Sequence, residues 1–159
     1  MWLHLKRENQ LERKSINMDH VSNVIFMKKE HCTLLFQFQN ISQISIKSDN
    51  YLNDYRIERW FKLFQTGNIS QHDSILELTN DKNNTNDRYF VIDYIGSVKS
   101  SSESLDSELS VAESLAKDDE EFYYDHETSA YWVYDEKTNK RYSHFVLDKI
   151  TGEKHFPDF

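Results

Sequence analysis

Apolar positions in the first fifty residues come in short runs separated by polar turns. The runs "WLHL" (2–5), "VSNVIFM" (21–27), "TLLFQF" (33–38) and "ISIK" (44–47) predict four strands. In "TLLFQF", Leu34, Phe36 and Phe38 alternate onto one face and Leu35 and Gln37 onto the other, as a half-buried strand requires. The period then changes. Ile57, Trp60, Phe61 and Phe64 stand at i, i+3, i+4 and i+7, behind Asn53 or Asp54 as N-cap and ahead of Gly67 as stop. That spacing predicts a helix over 53–65. Beyond it, "SILELT" (74–79) and "RYFVIDYI" (88–95) flank an Asn- and Asp-rich segment, which suits a long-looped hairpin extending the first sheet. Residues 1–96 are therefore expected to form an N-terminal α+β unit.

From 97 to 120 the chain turns serine-rich and acidic and loses its aromatics. Two readings stand side by side: a flexible connector, or a short helix with Leu105, Leu109, Ala112 and Ala116 on one face, capped by Ser102 or Ser104. The last segment repeats itself. Asp125-His126-Glu127-Thr128, Asp135-Glu136-Lys137-Thr138 and Asp148-Lys149-Ile150-Thr151 each separate aromatic, strand-like runs. An Asp opening such a loop can accept from amides two residues on, a Thr hydroxyl can close it, and Asn139 and Gly152 tolerate the positive φ at the end. The repeat is turn chemistry. It predicts a four-stranded aromatic β-meander over 121–159, with "EFYY" as its first strand. The fold expected is α+β, mostly antiparallel β with one clear helix (53–65).

Charge adds a polarity. The net charge is −8, and residues 97–159 carry 15 acidic against 7 basic side chains, while residues 1–96 balance at 12 each. The first 62 residues lean basic: Lys6, Arg7, Arg13 and Lys14, with Arg56, Arg59 and Lys62, could make a modest strip beside Trp2 and Trp60. The acidic half should repel nucleic acid and membrane surfaces and attract basic partners. No run approaches the roughly 18 apolar residues of a membrane span. One cysteine, Cys32, excludes an internal disulfide, and "MWLHLKREN" is charged by position 6, so a cytosolic chain is expected.

Signatures of catalysis are sparse. With three glycines the chain offers no phosphate-cradling loop, its seven histidines have no metal-ligand spacing, and Cys32 opens an apolar strand as a small hydrophobe would. No cofactor, metal or catalytic residue is expected. The tyrosine-rich C-terminal hairpins resemble the OCRE repeat of splicing-associated proteins, and Trp132, Tyr142 and Pro157 resemble the signature positions of a WW domain, each over at most 40 residues. The strand, turn and "INMDHV" of the first 50 residues resemble the small FlbD-like bacterial domain. None of these carries a function over. The expectation is a non-catalytic module that holds a partner protein with a basic surface. Asp118, Asp119, Glu120 and Glu121 would steer it, and Tyr124, Trp132, Tyr134 and Tyr142 would supply rigid contact area. The alternatives are an acidic nucleic-acid mimic that inhibits a DNA- or RNA-binding enzyme, and an enzyme with an unfamiliar site.

Overall fold

The computed structural model describes residues 1–7, 14–69, 74–79, 86–123 and 127–159. The chain is α+β and divides into two compact units between Asn84 and Thr85. The first contains strands β1 (Trp2–Arg7), β2 (Lys14–Asn17), β3 (Val21–Lys28), β4 (Cys32–Phe38), β5 (Gln43–Lys47) and β6 (Ile75–Leu78), with helix α1 (Tyr51–Thr66). Its two three-stranded sheets run β2-β1-β6 and β3-β4-β5, antiparallel except for the β1–β6 pair.

Alternation puts Leu3 and Ile16 of one sheet, and Leu34, Phe36 and Ile46 of the other, into a shared core with Ile57 and Trp60 of α1. Trp60 meets Phe36 edge-on at 5.7 Å and stacks on Phe64 at 5.3 Å. The helix starts earlier than its apolar stripe suggests, because Asn50 is the cap and accepts from the Asn53 amide at 2.8 Å. That frees Asn53 and Asp54 for tertiary work. Asn53 binds both backbone groups of Thr79, accepting from its N–H at 2.9 Å and donating to its C=O at 2.8 Å. Asp54 accepts from the Cys32 amide at 2.8 Å and lies 2.8 Å from His31 Nδ1. Gly67, at φ 72°, ends the helix as expected, with Asn68 N–H reaching back to the Leu63 carbonyl.

The second unit holds β7 (Tyr89–Asp93), β8 (Val98–Ser102), α2 (Leu105–Tyr123), β9 (Val133–Asp135), β10 (Lys140–Tyr142), β11 (His144–Asp148) and β12 (Lys154–His155). A four-stranded sheet runs β12-β11-β7-β8, and β9 and β10 form a separate hairpin. Every residue of β11 is buried, as are four of the five in β7, so this sheet is covered on both faces. On one side Val91 and Val146, paired across the strands, pack under Ala112 of α2. On the other, Phe145 meets Phe156, which in turn meets Tyr142.

Several expectations change here. Helix 53–65 is 51–66, and a second long helix accompanies it. Of the two readings of 97–120, the helix is the one found, and it is longer than expected: the apolar stripe forms α2, capped by Ser104, whose hydroxyl accepts from Ser107 N–H at 3.2 Å, and serines before it form the edge strand β8. The run 74–79 and the run 88–95 are not a hairpin. β6 pairs with β1, whereas β7, apolar on both alternating faces, needs a two-sided sheet and pairs with β11 and β8. The meander therefore splits, and its "EFYY" strand is the end of α2 as far as Tyr123, because the stripe of Ala112 and Ala116 carries the helix onward. Strand β2 escaped notice because "KSIN" is short and polar.

The Asn53 clasp gives a stability test. Asn53→Ala leaves the Thr79 N–H without its partner and its carbonyl with only the longer bond from Asn50, 3.4 Å, and should cost about 1–3 kcal/mol in urea unfolding.

Candidate functional site

The turn repeats work as turns where they are described. Asp135 accepts from Lys137 N–H at 3.1 Å and from the Thr138 hydroxyl at 3.1 Å, with Asn139 at φ 55°. Asp148 accepts from Ile150 N–H at 2.9 Å, and Gly152 closes that loop at φ 76°. The first copy, Asp125 to Thr128, lies outside the residues whose side chains are described. Asp93 makes a further turn of this kind, accepting from the amides of Ile95 and Ser97.

Asp148 has a second role. Arg88 grips it with Nε at 3.1 Å and Nη2 at 2.8 Å. Burial pushes the Asp148 carboxyl up, but the hydrogen bonds from Arg88, Ile150 and Thr151 outweigh it and bring it to about 2.

Of the expected contact aromatics, Trp132 and Tyr142 are core residues, 6% and 2% exposed, and cannot serve as surface contacts. The physical reason is local. Residues Glu127–Tyr131 form a 3-10 turn, so the two-residue alternation assumed for 131–134 begins only at Val133. Trp132 is turned inward, while Tyr134 is 47% exposed. Tyr142 lies inside a cluster with Phe156 and Phe159. The WW-like trio of Trp132, Tyr142 and Pro157 is thus buried. Tyr124 lies outside the described residues. Tyr134 stands on the outward face of the β9–β10 hairpin opposite Arg141, whose guanidinium sits 5.7 Å from its ring and also donates to the carbonyls of Ala130 and Trp132. Sequence reading overlooked Arg141, because only the strand register places it beside Tyr134.

The four acids expected to steer a partner fall in the last turns of α2. Asp118 is exposed and makes no ion pair among the described residues. Asp119 and Glu120 are half-buried and engaged within the unit. Asp119 Oδ2 lies 3.3 Å from His144 Nδ1, and Glu120 Oε1 lies 3.6 Å from Lys140 Nζ. The backbone of Glu121 is helical. Carboxylates at a helix C-terminus face the negative end of the macrodipole, each at a cost of about 0.3–1 kcal/mol. Lys117, paired to Glu113 at 2.9 Å, is the lone basic residue of α2.

Ser143, His144 and Asp119 invite comparison with a nucleophile–base–acid trio, but the geometry differs. Ser143 is fully buried, and its hydroxyl and Asp119 both approach the same ring atom, Nδ1, at 2.9 and 3.3 Å. A relay needs the two ring nitrogens on opposite partners. Burial pushes the His144 pKa below its ordinary 6.5, against the upward pull of Asp119 and Asp93 and with Lys99 pushing the same way as burial. Cys32 is 1% exposed, and burial with the nearby Asp54 and Glu58 pushes its thiol up to about 12, so it is protonated at neutral pH.

No family model, curated protein or solved structure matches this chain.

Two measurements follow from this geometry. Trp132→Ala should destabilise the protein by about 3–5 kcal/mol in urea unfolding, as truncation of a buried aromatic does. Folded Asp148 gives up its proton more readily than the unfolded residue, so its stabilising contribution is complete above pH 3.8 and is lost as pH falls through about 2. The loss should be at most about 2 kcal/mol, reduced by solvent screening through the half-exposed Arg88. Asp148→Asn should flatten the stability profile in that window.

Proposed function

We propose that the chain is a non-catalytic interaction module whose second unit binds a basic protein surface. The observation that carries this reading is the charge of that unit. Thr85–Phe159 holds seventeen acidic against eight basic side chains, whereas Met1–Asn84 holds ten against eleven. Much of the excess is gathered on α2, where the apolar stripe turns inward and Asp106, Glu113 and Asp118 lie toward solvent. Acids at the C-terminal end of a helix oppose its dipole, and a basic partner would relieve that opposition. Tyr134 adds an exposed aromatic ring, already ordered by Arg141, as a contact of low entropic cost. In this reading affinity comes mainly from charge, since Trp132 and Tyr142 belong to the core.

The test is capture of partners from lysate with the full chain, followed by graded salt washes. A basic protein should be retained at about 50 mM salt and largely released by about 200 mM, because the contacts are exposed and screened. Glu113→Lys combined with Asp118→Lys should reduce retention by about tenfold, and Tyr134→Ala by less. Retention that ignores both salt and charge reversal would overturn the reading. Displacement of the partner by competing DNA would point to the nucleic-acid mimic in its place.

A further inference from the structure

The first unit breaks its own core pattern at one end. On the core-facing side of the β2-β1-β6 sheet, Leu3 stands opposite Ile16, and both are buried. The next inward pair is Leu5 and Lys14, and the next inward position on β1 is Arg7, beside Leu78 of β6. Two cations thus occupy positions where alternation calls for apolar side chains. Neither has a carboxylate partner among the described residues. Arg7 donates to the Lys47 carbonyl on β5 at 3.3 Å, and Lys14 makes no ion pair among the described residues.

These two side chains open onto a cleft of about 110 Å³. Leu5, Leu78, Ile44 and Ile46 give it apolar walls, and Lys6, 3.9 Å from Glu77, also borders it. Arg7 is half-buried and Lys14 exposed at the mouth, so the cleft is bordered by two positive charges that no carboxylate among the described residues offsets. A dianion seated between them would offset both charges and gain charge-assisted hydrogen bonds from a guanidinium fork and an ammonium.

We propose that this cleft binds a phosphate group, with Arg7 and Lys14 as its two principal ligands. A phosphate near neutral pH carries about −1.5 to −2, which matches two cations where a carboxylate would match one. The volume holds the phosphate itself, so the organic part of any monoester would leave through the mouth. This site lies in the first unit and uses none of the residues of the acidic surface.

The probe is inorganic phosphate added to the full chain, with binding followed by amide chemical shifts and by thermal unfolding. Phosphate should shift the amides of residues 5–7, 14 and 44–46 and raise the melting temperature, while sodium acetate and sodium chloride at matched ionic strength should not. Arg7→Gln and Lys14→Met should each weaken phosphate binding at least tenfold. Lys14→Met should also leave the melting temperature of the free protein unchanged, since the side chain is exposed and the change keeps its volume, so loss of folding cannot pass for loss of binding. Exposed Lys62→Ala should bind as the parent does. Equal effects from chloride, shifts spread over the surface, or undiminished binding in both variants would overturn the proposal.

Discussion

A strand buried along its whole length governs the second unit. His144–Asp148 has no solvent face, so it must be paired at both edges and covered on both sides. Pairing with Tyr89–Asp93 brings together segments more than fifty residues apart, and Lys154–His155 takes the other edge. The helix 105–123 covers one side and the aromatic cluster of Tyr142, Phe145 and Phe156 lies on the other. Once the rings are committed to that cover, they are unavailable to a partner. What the unit offers to solvent is charge, together with the exposed side chains of Ile95, Val98, Tyr131, Tyr134 and Ile150.

The polar groups of this sheet show how such a strand is tolerated. Asp148, nearly sealed from solvent, is held by Arg88 and by the amides of its own turn. His144 faces Asp93 across the strands and Asp119 from the helix. Glu108, 3% exposed, receives the Ser100 hydroxyl at 3.2 Å on one oxygen and has no partner on the other. The unit thus places several carboxylates on or near the α2 side of its sheet and still carries an excess of acids outward. Charge of one sign on both sides of a helix works against the compact state.

The first unit was more legible in the sequence than the second, for a physical reason. The alternation of Leu34, Phe36 and Phe38 and the stripe of Ile57, Trp60 and Phe64 are local patterns, and each reports its own element directly. The aspartate turns were legible too, since an Asp accepting from amides two or three residues on is a local device. The second sheet depends on which distant strands pair, and no periodicity within 88–95 or 144–148 names a partner. The serine strand 98–102 has no apolar alternation because it sits at an edge, with the Ser101 hydroxyl on Asp87 and the Ser100 hydroxyl on Glu108. Of the expected site, the acids of 118–120 lie on one helix end and Tyr134 is exposed. Trp132 was misplaced because a 3-10 turn stands where the strand was expected to begin, and Tyr142 because Phe156 and Phe159 pack against it.

Partner binding, as proposed, rests on charge, with Trp132 and Tyr142 spent on the core. The most direct check is an amide chemical-shift titration of the full chain with a lysine-rich peptide at low salt. Shifts gathered on the outward residues of helix 105–123, with Asp118 and Tyr134 among them, and fading as salt is added, are the predicted result. Shifts gathered instead on the exposed apolar positions Ile25 and Met27, or a response indifferent to salt, would contradict it.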